Sequence, residues 1–319
     1  MAMDKPFQTY EKLVIKLRDE KKLEIPDEER VISLLKKHSY FALVSGYKTL
    51  FKLPTSEYRP GTTIEDIFAL FEFDDALRGI FFNAIQIIEK HIKSLLSHSF
   101  IEKYGDDQKA YLTPENYKFI GSSPSDTYMR CAAVKRLIQT FEAKVHPPFD
   151  QKYIEHQWKN HRNVPLWVTI KAVTLGTTSK MYSLCTQDVQ AAVSKEFPVI
   201  SEHQLVGMLD FLTRVRNVCA HNERLYDFNA GKTRAIQALP LHADLKIGKK
   251  KSYYKHGQSD LFAAVVCFKY LLSPEEFKDT ANKIDAEIQK LCARTKLIQK
   301  NKILSCMGFP PNWLDSIEL

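Results

Sequence analysis

The stretch from Arg214 to Tyr226 gathers side chains that suit work on a phosphodiester. At about 100° per residue, a helix through it places Met208, Leu212, Val215 and Cys219 on one face. Asp210, Arg214, Asn217, His221 and Arg224 fall on another. That second face offers an imidazole of the kind that titrates near neutrality, planar guanidinium groups and an amide. RNA carries its own nucleophile, the 2′-hydroxyl, so its cleavage needs only a positioned acid or base and a cation for the charge that develops on phosphorus. On this reading His221 moves the proton, Arg216 clamps the phosphate and Asn217, one turn earlier, orients the ring or the scissile group. Arg214, Asp210 and Arg224 support them.

The same residues also suit a solvated ion cluster of Asp210, Arg214 and Arg224 beside a histidine. Spacing alone therefore does not decide. Straight-helix geometry puts Arg214, seven residues before His221, on the histidine's face and Arg216 roughly 140° away.

The elements around this segment read as helices. Pro26 suits a helix start, and Val31, Leu34, Leu35 and His38 follow at helical spacing. Thr62-Thr63-Ile64-Glu65 has the form of a capping box, and from Ile64 to about Lys103 apolar residues recur at three- and four-residue steps without a proline. This predicts one long helix, or two joined near Asp74 or Gly79. Tyr104 to Ser125 reads as loop, and helices are expected over 126–144, 149–159, 166–184, 201–225, 260–272 and 274–293. Gln204, three residues after Ser201, gives the motif helix its own capping box. The expected fold is all-α, a helical bundle with four parts: an N-terminal helical module at 1–53, the core carrying the motif at 64–228, a basic excursion at 229–259, and C-terminal helices with a tail at 260–319.

The excursion holds the densest basic and aromatic run: Lys246, Lys249, Lys250, Lys251, Tyr253, Tyr254, Lys255 and His256. Such a run can grip single-stranded RNA by phosphate contact and stacking, or it can be a solvated loop. Asp74, Arg78 and Glu89 are expected as polar contacts inside the bundle, since buried charges normally pair.

Composition bounds the function classes. A formal charge of +8 favours polyanions without proving that any bind. The six cysteines form no C-x-x-C pair, Met1 to Lys5 carry no signal-peptide apolar core, and the longest apolar run, Leu261 to Phe268, is far short of the roughly 20 residues of a spanning helix. Reduced thiols, a cytoplasmic location and no membrane segment are expected. His91, His98, His146, His156 and His161 lack zinc-ligand spacing, and neither a P-loop nor a G-x-S-x-G elbow occurs. No metal and no cofactor are expected.

The run Arg214-Val-Arg-Asn-Val-Cys-Ala-His-Asn-Glu-Arg-Leu-Tyr226 resembles the signature of the Abi-like abortive-infection family (AbiD/AbiF type), within the HEPN superfamily. Leu43-Val-Ser-Gly-Tyr47, Phe73-Asp-Asp-Ala-Leu-Arg78, Ile88-Glu89, Pro165-Leu-Trp167, Gly176-Thr-Thr-Ser-Lys-Met-Tyr182 and Gly308-Phe-Pro-Pro-Asn-Trp313 resemble that family in the same order. The resemblance implies a HEPN-like helical bundle and metal-independent endoribonuclease action leaving a 2′,3′-cyclic phosphate. It also implies phage defence by toxicity, with an RNA or protein antitoxin. Because the chain holds one motif copy, it further implies a homodimer whose two His221 residues form a composite site. Arg216, Asn217 and His221 match the motif position by position. Lys171 stands where an acidic residue is expected, which removes acidic support from that helix. The alternatives are a non-catalytic RNA-binding or regulatory member of the same fold, marked by a motif turned into the core or by Lys171 salt-bridged across the site, and a helical adaptor with no RNA contact.

Overall fold

A computed structural model describes residues 6–318. Met1 to Lys5, which were read for a leader, lie outside the described residues. The chain folds as an all-α protein, as its periodicity predicts. Short helices α1 (Tyr10–Ile15) and α2 (Glu28–His38) lead into α3 (Ile64–Tyr104), a single uninterrupted helix. Its capping box lies one residue later than predicted: Asp66 accepts from the Thr63 backbone N–H at 2.9 Å. Ile67, Leu70, Phe73, Leu77, Phe81, Ile85, Ile88, Ile92, Leu96 and Phe100 of α3 are all buried, a stripe at three- and four-residue steps that makes this helix the spine of the molecule. At 1.5 Å per residue it is about 60 Å long.

The segment read as loop contains α4 (Gln108–Leu112), and α5 (Pro124–Val145) starts two residues before its expected place because Ser123 caps it. After α6 (Lys152–His161), the single helix expected over 166–184 is broken. Instead α7 (Leu166–Thr169) runs into a 3₁₀ turn, Val173 is extended, and Thr174 caps a fresh helix, α8 (Leu175–Leu184), by accepting from the Thr177 N–H at 3.3 Å. Sequence periodicity continues across such a break, but a competing side-chain cap ends it. A further helix, α9 (Gln187–Ser194), precedes α10 (Glu202–Ala220), whose Ser201/Gln204 capping box is present as predicted.

The basic excursion is not a bare loop. It holds α11 (Pro240–Asp244) and a two-stranded antiparallel hairpin of β1 (Lys249–Lys250) and β2 (Tyr253–Tyr254), anchored by buried Ile236, Leu239, Leu241, His242, Leu245 and Ile247. His242 is fully buried, with Nε2 2.9 Å from the Gly257 carbonyl and its ring stacked on Tyr254. The chain closes with α12 (Phe262–Leu271), α13 (Pro274–Arg294) and, where only a tail was expected, α14 (Lys300–Met307). Helix α13 lies along α3, and α10 is wedged between α3 and α8. One apolar cluster takes in Val14, Phe51, Phe81, Leu212, Leu241, Phe268 and Trp313. No described helix is long and apolar enough to cross a membrane.

Helices α8 and α10 come close at Gly176, where a Cβ atom would lie 3.2 Å from the Thr213 methyl. Gly176→Val is expected to cost about 1–3 kcal/mol by overpacking. Denaturant unfolding with an unchanged midpoint would refute that contact.

Candidate functional site

The helix carrying the motif stops five residues short of the predicted end. His221 is its C-cap (φ −96°, ψ 9°) and Asn222 turns left-handed at φ +54°. The Asn222 N–H donates to the Cys219 carbonyl at 3.3 Å and the Glu223 N–H to the Val218 carbonyl at 3.0 Å, which are the two bonds of a Schellman turn. Asparagine is the residue other than glycine that most readily takes this conformation, so Asn222 was the overlooked stop signal in the sequence.

Beyond the turn, α3 captures the chain. Asp74 is fully buried and its carboxylate accepts from the Leu225 N–H at 3.1 Å, the Tyr226 N–H at 2.6 Å, the Tyr47 hydroxyl at 2.7 Å and Arg78 at 2.7 Å. Arg78 also reaches the Glu223 carbonyl at 3.4 Å and the exposed Asp75 at 2.8 Å. Burial drives the Tyr47 hydroxyl far above the usual phenol range, with Asp74 adding to it, so Tyr47 stays a donor. Three segments far apart in the chain, around Tyr47, Asp74 to Arg78 and His221 to Tyr226, therefore meet in one polar knot. Asp74 and Arg78 pair as expected, and so do Glu89 and Lys93, at 2.7 Å. The role of Asp74 as the clamp of the motif turn was missed, because two backbone amides leave no trace in residue types.

The knot leaves the chemical groups on the outside. Asn217 and His221 are exposed, one turn apart, with the His221 N–H bonded to the Asn217 carbonyl at 3.0 Å. Arg216 is half-buried, its guanidinium 5.5 Å from the centre of the Phe82 ring on α3, and among the described residues no carboxylate stands within ion-pair distance of it. Arg214 is instead held by Asp210 at 3.2 Å, and Arg234 approaches the same carboxylate at 3.9 Å. Arg224 does not share the face of His221, because the helix has ended before it. It donates to the Gly46 carbonyl at 2.6 Å and pairs with Asp227 at 2.7 Å. Cys219 faces the core, where burial pushes its thiol up to about 12. A group so rarely ionised packs and does not attack. Native thiol titration is expected to find the exposed Cys131 first and Cys219 only on unfolding. Rapid labelling of Cys219 in the folded protein would contradict its burial.

Lys171 lies against the far part of α3, in a groove with Lys90, Lys93, Ser94 and Trp167, and over the Tyr153 ring at 5.4 Å. Lys93 is fifteen residues beyond Arg78, about 22 Å along the helix. Lys171 is thus neither salt-bridged across the motif nor near it. The lysines Lys246, Lys249, Lys250, Lys251 and Lys255 are exposed on the excursion, with Tyr253 46% exposed and Lys249 stacked 4.7 Å over Tyr254. Among the described residues no hydrogen bond, ion pair or ring contact joins them to His221. Among the described residues no group of three or more His, Cys, Asp or Glu is arranged to hold a metal.

The family described as Abi-like protein matches this chain over residues 33–227. No curated protein and no solved structure matches it. The matched span covers more than half of the chain and includes Tyr47, Asp74, Arg78 and the whole motif turn, and on that basis the chain belongs to the Abi-like protein family.

Proposed function

We propose that this Abi-like protein is a metal-independent endoribonuclease of the HEPN type, acting as a toxin in phage defence by abortive infection. The observation that carries this reading is the exposure of Asn217 on the last turn of α10 and of His221 at its C-cap, just before a segment that Asp74 locks to the interior through the Leu225 and Tyr226 amides. Reactive groups held by a rigid scaffold, with the imidazole free to meet a ligand, are what general acid–base work requires. The 2′-hydroxyl attacks the adjacent phosphorus while its proton passes to an imidazole. The bond to the 5′-oxygen breaks, and that oxygen takes a proton from a second acid. Products are a 2′,3′-cyclic phosphate and a 5′-hydroxyl. Arg216, which no carboxylate among the described residues pairs, meets the charge on the phosphate oxygens.

Two proton transfers on opposite sides of one phosphorus need two groups, and each chain brings one motif imidazole. A homodimer in which His221 faces His221 of the partner subunit satisfies both roles. The lysine-rich hairpin is a place for the RNA strand to rest, through phosphate contacts and stacking on Tyr253.

The test is incubation of the purified wild type and His221→Ala with mixed RNA in a chelator, followed by analysis of product ends, and expression of both in cells. Cyclic-phosphate ends and growth arrest from the wild type alone support the proposal. RNA left whole by both proteins, yet bound by both, would replace it with a non-catalytic RNA-binding role.

A further inference from the structure

A groove of about 530 Å³ opens between α5, α8 and the start of α10, lined by Lys118, Arg130, Lys180, His203 and Glu202 among others. A second, of about 570 Å³, adjoins it and shares Met129, Ala133 and Lys180 while adding Arg136. Lys180 thus stands on the ridge between the two. Among the described residues it has no ion-pair partner, and the side chain of Arg136 donates only to the Ala132 carbonyl, at 3.2 Å. Arg130 is paired with Asp126, its Nε 3.1 Å from both carboxylate oxygens. Partial burial, followed by the charges of Arg130 and Arg136, holds the Lys180 ammonium below the ordinary lysine range, and Asp210 alone opposes them. The cations Lys118, Arg130, Lys180 and Arg136 outnumber the lining carboxylates Asp126 and Glu202, and the excess repels itself, a cost that a bound polyanion removes.

Position gives the groove its meaning. Asp210, whose charge reaches Lys180, also pairs with Arg214 and Arg234, and seven residues further on comes Asn217. From His203 in the groove to His221 the helix advances about 27 Å. A strand with stacked bases covers that in roughly eight nucleotides, at about 3.4 Å each.

We propose that the paired grooves around Lys180 are a second RNA contact, which grips the phosphates of a single strand whose other end lies at His221. The proposal rests on the reading of the protein as one that handles RNA, and it adds a site on the opposite end of α10. It makes the motif helix a ruler, so that short RNA fragments occupy the motif without reaching the grooves.

The probe is a fluorescent single-stranded 12-nucleotide RNA, with binding to the full-length His221→Ala protein followed by anisotropy across a salt series in chelator. Lys180→Gln/Arg136→Gln is expected to weaken binding about tenfold and to reduce the slope of log affinity against log salt by about 1.4, at 0.7 per lost phosphate contact. Glu202→Gln, which removes a negative charge from the groove wall, is expected to tighten it, a gain that misfolding does not imitate. A double variant that binds with parental affinity and slope, while Arg216→Ala binds more weakly, overturns the second site and leaves the RNA reading standing. Failure of the parental protein to bind any RNA overturns both.

Discussion

Asp74→Ala is expected to destabilise the protein by about 3–5 kcal/mol, because it takes from the buried Arg78 guanidinium its only buried counter-charge among the described residues. Arg78 retains Asp75, which is two-thirds exposed, but loses the fully buried partner at 2.7 Å. The Leu225 and Tyr226 amides and the Tyr47 hydroxyl lose their acceptor in the same step. Asp74→Asn keeps one carbonyl oxygen for the two amides but no charge for Arg78, and falls between the parent and the alanine variant. Denaturant unfolding measures the difference, and hydrogen exchange at Leu225 and Tyr226 locates it. A loss under about 1 kcal/mol, with those two amides still protected, would mean that packing alone holds the turn.

His221→Ala is expected to lower metal-free RNA cleavage by about 10²–10⁴-fold, the usual contribution of one positioned proton-transfer group. Because the side chain is exposed and makes no hydrogen bond or ion pair among the described residues, the folded state is left as it was, and the unfolding midpoint serves as the control. Arg216→Ala is expected to cost about 10²–10³-fold, comparable to removing a donor from an oxyanion site. Arg214→Ala costs less than Arg216→Ala, since its guanidinium is already committed to Asp210. Single-turnover cleavage of one defined RNA ranks the three. A larger loss at Arg214 than at Arg216 would reassign the phosphate clamp.

The ranking of the two arginines illustrates what a linear sequence conveys. Straight-helix geometry favours Arg214 and resemblance favours Arg216. What separates them is Asp210 on one side and the Phe82 ring on the other, and neither contact is visible in spacing. The long helix from Ile64 was legible because its apolar stripe repeats without interruption over the whole of α3. The break before Thr174 and the stop at Asn222 were not, because each depends on a local hydrogen bond that competes with a helix the periodicity would have continued. The packed state of residues 229–259 was hidden for another reason. Its anchors, Ile236, Leu241, His242 and Ile247, are scattered among lysines and glycines at no regular period. The grooves around Lys180 draw on α5, α8 and α10, so only the fold assembles them.

The clamp between Asp74 and the Leu225–Tyr226 amides joins positions 151 and 152 residues apart, and that separation has a consequence in time. A ribosome feeds out the α3 carboxylate long before the amides it will hold, so a growing chain carries the buried-to-be Asp74 and Arg78 with no turn to close on. Contacts of such long reach form late, after nearer ones have paid for the loop they close. The surface bearing His221 thus takes its final shape only once Tyr226 has emerged, 152 residues after Asp74. A fragment that stops before Tyr226 lacks the amides that Asp74 holds, so it has no means to close the motif turn around His221.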